Sequence, residues 1–144
     1  VIIPDVNLLV YAYNQGAPLH VEAKAWWERL MNEQVPVGMP WAVSCGFVRL
    51  VTHPAVLVTP MRPRPALDIV GTWLARPHVQ VCHPGARHLA LLQALLGAAD
   101  VAGNLTTDAH LAALAIEYQC ELHSNDSDFG RFEGLRWHNP LARN

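Results

Sequence analysis

Three of the twelve acidic residues in this chain stand where a carboxylate can do more than solvate a surface. Asp5 closes a short β-branched apolar run, Val1-Ile2-Ile3, and Asp126 follows a second short run ending at His123. Asp108 falls in the first turn of a helix that Thr106 or Thr107 is expected to cap. In a parallel α/β sheet the crossover helices run antiparallel to the strands. Helix N-termini and strand C-termini then share one edge, the edge where such folds bind ligands. All three aspartates belong on that edge; whether they meet depends on strand order, which periodicity does not carry. If they meet, their mutual repulsion is relieved by protonation or by a cation, and oxygen-only ligands suit magnesium or manganese rather than zinc. Each acid also has an ordinary reading. Asp108 is favoured by the helix dipole, and Asp126 suits a turn in Ser124-Asn125-Asp126-Ser127-Asp128. Asp5 is the hardest to dismiss, because a carboxylate ending a buried run costs free energy unless something pairs with it.

The elements that must carry these residues follow from apolar spacing. Strands are expected at 1–3, 34–39, 79–82 and 121–123, with a fifth at 135–138. Helices are expected after Asn7 and over 20–31, 41–52, 66–75, 86–96 and from Thr106 or Thr107 to about Tyr118. A short helical turn is expected over 126–132. Pro40 suits the opening of a helix, and His53-Pro54 its end. The prolines and arginines of 59–65 read as a loop, as do residues 97–104. Strands alternating with helices indicate an α/β fold with a mainly parallel sheet, here of four or five strands in a single domain over residues 1–144.

The totals narrow the possibilities without deciding them. With 51% hydrophobic and 15% charged residues, the chain is a globular composition long enough to bury a real core. Mean hydropathy is +0.14, yet no run reaches the ~20 apolar residues a membrane span needs. The opening residues carry no basic leader pattern, and a cytoplasmic protein without membrane contact is expected. Cys45, Cys82 and Cys120 are odd in number and form no Cys-x-x-Cys, so they are expected to be reduced and mostly buried rather than bridged or metal-bound. The net charge of −2 is no basic footprint for nucleic acid. The cations are nearly all arginine, however, with Lys24 alone as lysine, and arginine grips phosphate bidentately. Glu22, Glu28, Glu33 and Glu117 read as solvated helix faces. His78, His83 and His88 recur at a spacing that suits no chelate, and His110 is read as a surface or capping residue. Trp26 and Trp27 lie about 100° apart on one helix, so one of them is a candidate for an association surface.

Four segments, in order, make this chain resemble the PIN-domain family, and within it the VapC-like toxins. Asp5-Val6-Asn7 is similar to the family's opening Asp-x-Asn after the first strand. The stretch 107–115 is similar to the helix carrying a second acidic ligand. Ser124-Asn125-Asp126-Ser127-Asp128-Phe129 is similar to the family's Thr/Ser-x-Asp-x-Asp-Phe, and 134–140 to its closing segment. The resemblance implies a PIN-like α/β/α sandwich whose strand order gathers the aspartates around magnesium or manganese. It implies cleavage of single-stranded or looped RNA in transfer or ribosomal RNA. It also implies a homodimer and a cognate antitoxin. One departure stands out: the helix after the second strand carries Gly46 where many members carry a glutamate. That loss weakens or reduces metal binding, with Asp128 the candidate to make it up. It also keeps open a PIN domain that binds RNA or an antitoxin without cutting.

On this reading Asp5, Asp108 and Asp126 hold the metal, directly or through water. Asn7, Ser124 and Asp128 orient them, and Arg49, Arg131 and Arg136 are candidate phosphate contacts. Hydrolysis then needs no serine, cysteine or histidine nucleophile. Two other classes with an aspartate after the first strand fit less well. A dehalogenase-like phosphotransferase wants Asp-x-Asp, where Asn7 stands, and a receiver-like domain wants a late lysine, which is lacking beyond Lys24.

Overall fold

The computed structural model describes residues 1–99 and 105–142. The first strand, β1 (Ile2–Pro4), leads directly into α1 (Val6–Tyr13), with Asp5 capping the helix between them. There follow α2 (His20–Asn32), β2 (Val37–Pro40), α3 (Trp41–Val51), α4 (Pro63–Leu74) and β3 (Val79–Cys82). The second half holds α5 (His88–Ala99), α6 (Thr106–Glu117), β4 (Glu121–His123), a 3-10 turn (Ser127–Arg131) and β5 (Arg136–His138). All five strands are parallel, in the order β3-β2-β1-β4-β5.

That order puts β1 at the centre, between β2 and β4. A central strand in a parallel sheet is covered on both faces, and Ile3 is accordingly fully buried. Below the sheet, an aromatic cluster joins α1, α2, α3 and α4. Trp73 lies edge-on to Phe47 at a centroid distance of 4.7 Å and to Trp27 at 5.4 Å. Its indole N–H donates to the Tyr13 hydroxyl, 3.1 Å away, so the one polar atom of a buried ring is satisfied.

Several expectations need correction. Trp26 and Trp27 are both buried, at 5% and 3% exposure, because α2 is wedged between two surfaces. Trp26 stacks on His123 of the sheet while Trp27 turns to Trp73 of α4. Trp41 is the tryptophan left half-exposed. The 59–65 loop ends early, since Pro63 and Pro65 fall in the first turn of α4, where a missing N–H costs nothing. Neither Thr106 nor Thr107 caps α6; Leu105 occupies the cap without a side-chain bond. Gly97 continues α5 rather than opening a loop, and the rest of that expected loop, 100–104, lies outside the described residues. Only Cys120 of the three thiols is buried; Cys45 is exposed. Among the described residues, no helix is long and apolar enough to cross a membrane.

Candidate metal centre

Because β1 and β4 are neighbours in register, with Pro4 opposite His123, the residues leaving both strands emerge side by side. Asp5 N–H donates to the His123 carbonyl at 2.8 Å. Ser124, fully buried, donates its hydroxyl to Asp5 Oδ2 at 2.8 Å and accepts from the Asp126 N–H at 3.0 Å. Asp5 Oδ1 accepts from the Val6 N–H at 2.8 Å. The carboxylate is therefore buried yet bonded on both oxygens, which answers the question its position raised. Burial pushes its pKa up; the bonds from Ser124 and Val6 oppose that, and the charge of Asp126 adds to it.

Asp126 caps the 3-10 turn, with its Oδ1 accepting from the Asp128 N–H at 2.9 Å. That turn brings Asp128 back beside Asp126, and α6 delivers Asp108 from the other side. One carboxylate oxygen from each of Asp108, Asp126 and Asp128 lies within 4.8 Å of the others. Asp5 stands outside this triple but within its field. The Asp108 carboxyl is raised to about 6, first by burial and then by the charges of Asp5, Asp126 and Asp128. Four half-buried or buried carboxylates gathered at one edge fit a hard divalent cation, which takes oxygen donors and offsets their repulsion. Asp128, held in reserve on sequence grounds, is thus a member of the triple, while Asp5 is the more deeply anchored acid behind it.

The remaining expected residues are distributed less evenly. Asn7 is half-buried in the first turn of α1, two residues after Asp5. Arg131 donates to Asp128 Oδ1 at 3.2 Å, which puts a cation at the rim of the cluster. Arg49 is exposed eight residues into α3, about 12 Å along the helix from its start at the acid edge. Arg136 does not belong with them. It lies opposite Glu121 at the far end of the parallel pair and donates to the Gln119 carbonyl, so its guanidinium serves the opposite edge. At Gly46, a Cβ would lie 3.3 Å from Val6 Cγ2, so the missing glutamate coincides with a close approach of α3 to the start of α1.

The readings of His110 and Glu117 are corrected, and two further contacts had no expectation from sequence. His110 meets His88 in the seam between α6 and α5, Nδ1 to Nε2 at 2.8 Å, instead of facing water. Glu117 accepts from the Gly85 and Arg87 N–H groups and so ties the β3–α5 loop, rather than being a free surface charge. Trp137 and Asn139, past the acid loop in sequence, bond to it from behind: Trp137 Nε1 donates to the Ser124 carbonyl and Asn139 Nδ2 to Asn125 Oδ1, each at 3.0 Å. The likeness of residues 134–140 to the family's closing segment was the pointer to this stretch in the sequence.

Residues 2–135 match the PIN domain family. The chain is 43% identical over 140 residues to Ribonuclease VapC33 of Mycobacterium tuberculosis, covering 97% of this chain and 98% of that one. Among solved structures it is similar to M. tuberculosis VapC20, described as a sarcin-ricin loop cleaving toxin, with a TM-score of 0.68, 20% identity and coverage of 94% and 99%. It is also similar to a chain of VapBC2 from Rickettsia felis bound to a promoter DNA fragment, with a TM-score of 0.66, 20% identity and coverage of 96% and 97%. The structural likenesses speak for the fold.

Proposed function

Because this chain belongs to the PIN-domain family, we propose that it is an endoribonuclease of the VapC toxin type that uses Mg2+ or Mn2+ held by its aspartates. The observation carrying this reading is the acid edge itself: Asp108, Asp126 and Asp128 with oxygens within 4.8 Å, backed by the Ser124-bonded Asp5. A bound divalent ion neutralises charge on a phosphodiester and lowers the pKa of a nearby water. The chain's own residues do the rest. Ser124 fixes Asp5 and Asp126 relative to each other through one hydroxyl, and Asn7 stands in the first turn of α1, two residues after Asp5. Arg131, already at the rim, is the nearest candidate to meet a phosphate oxygen, with Arg49 a more distant one.

The substrate class that fits is looped or single-stranded RNA in transfer or ribosomal RNA, supported by the names of the relatives above. A cognate antitoxin, supported by the VapBC2 neighbour, and a homodimer complete the proposal. The test is cleavage of a defined tRNA and of a sarcin-ricin-loop oligonucleotide by purified protein, with Mg2+, with Mn2+ and with chelator. Cleavage lost on chelation and absent in Asp126→Asn supports the proposal; equal cleavage by that variant refutes it. Gly46 favours a second reading, a PIN domain that binds RNA or an antitoxin without cutting, because α3 then brings no carboxylate to this edge. RNA retained but never cut under any of these conditions selects that reading.

A further inference from the structure

The acid loop is held from two sides. In front, Ser124 bonds Asp5 and the Asp126 N–H. Behind, β5 and the residue that follows it supply three bonds. The Ser124 N–H donates to the His138 carbonyl at 3.0 Å, and Trp137 Nε1 to the Ser124 carbonyl. Asn139 Nδ2 donates to Asn125 Oδ1 at 3.0 Å. The Leu141 N–H donates to Asn139 Oδ1 at 3.0 Å, and that bond decides which end of the Asn139 amide faces Asn125.

Asn125 separates the serine that grips Asp5 from the aspartate that joins the triple. Pinning its side chain therefore restricts the backbone that aims the Asp126 carboxylate. The restriction has something to work against. Three carboxylates with oxygens inside 4.8 Å repel one another, and a loop free to swing would relax by separating them. Asn139 carries no charge and bonds to none of the acids, and it lies thirteen residues or more beyond Ser124, Asn125 and Asp126.

We propose that Asn139 is a positioning residue for the metal centre: through Asn125 it holds the acid loop in the arrangement that receives a divalent ion. The inference rests on the metal reading above. Loss of partners that orient ligands costs 10–100-fold in metal affinity. Asn139 acts one residue removed from its ligand, so the expected loss is smaller, about three- to tenfold.

The experiment measures Mn2+ dissociation constants from the free-ion electron paramagnetic resonance signal, for wild type, Asp126→Asn, Asn125→Ala, Asn139→Ala and the Asn125/Asn139 double variant. Melting temperature and near-UV circular dichroism are recorded on each. The expected result is binding by wild type, none by Asp126→Asn, and the same three- to tenfold weakening in both single variants and the double, since all three lack one shared bond. If Asn139 merely closes the C-terminal turn, Asn139→Ala lowers the melting temperature and leaves Mn2+ affinity at the wild-type value. Asn125→Ala then also binds normally. Either unchanged affinity overturns this inference while the metal reading stands. Failure of wild type to bind Mn2+ overturns the metal reading and this inference with it.

Discussion

Asp108→Asn turns the electrostatics of the acid edge into a stability measurement. With its carboxyl raised from the ordinary 3.8 to about 6, the folded protein disfavours the ionised form. The sign follows: a carboxyl with a raised folded-state pKa leaves stability intact below about pH 4 and lowers it as pH rises through about 6. A rise of about two units corresponds to about 3 kcal/mol. Partial solvent access at Asp108 reduces that to about 1–2 kcal/mol, net of the favourable pull of the α6 N-terminus. Asparagine cannot ionise and escapes the deficit. For 144 residues, an unfolding entropy of about 0.3 kcal/mol/K converts this to a gain of about 3–7 °C in melting temperature. Calorimetric melts of both proteins in chelator should show that gain at pH 8 and its disappearance at pH 4. With excess Mg2+ or Mn2+ the order should invert, because ligand binding stabilises only the protein that holds the ion. If Asp108→Asn in chelator at pH 8 is no more stable than wild type, or if the gap persists at pH 4, carboxylate repulsion is not what shapes this site.

Two further outcomes follow from the same structure. Ser124→Ala removes a buried hydroxyl that donates to Asp5 and accepts from the Asp126 N–H. It should cost about 1–3 kcal/mol in chemical denaturation and push the Asp5 carboxyl further up; unchanged stability would show that water or a neighbour takes over both bonds. Trp73→Ala removes the fully buried ring at the centre of the aromatic cluster with Tyr13, Trp27 and Phe47. A loss of about 3–5 kcal/mol is expected, read from the urea midpoint, and a loss below 1 kcal/mol would mean that the cluster repacks freely.

Much of this molecule is legible one segment at a time. The strands at Val79–Cys82 and Glu121–His123 coincide with their apolar runs, and α2 and α3 end within a residue of the expected positions. Boundaries fail where chain chemistry has two solutions, as at Pro63, where proline can close a loop or open a helix. The placement of Asp5, Asp108 and Asp126 at one edge follows from the alternation of strand and helix. Only the order β3-β2-β1-β4-β5 makes Asp5 a neighbour of Ser124, 119 residues away, and brings the 3-10 turn under α6 so that Asp128 completes the triple. Trp26 and Trp27 make the same point from the core: helical angle forbids both from facing one surface, and packing supplies two surfaces. Periodicity records how a single element divides its faces between oil and water. Which elements then lie side by side is decided by burying all those faces at once, and the Asn139 bond to Asn125 exists only after that choice is made.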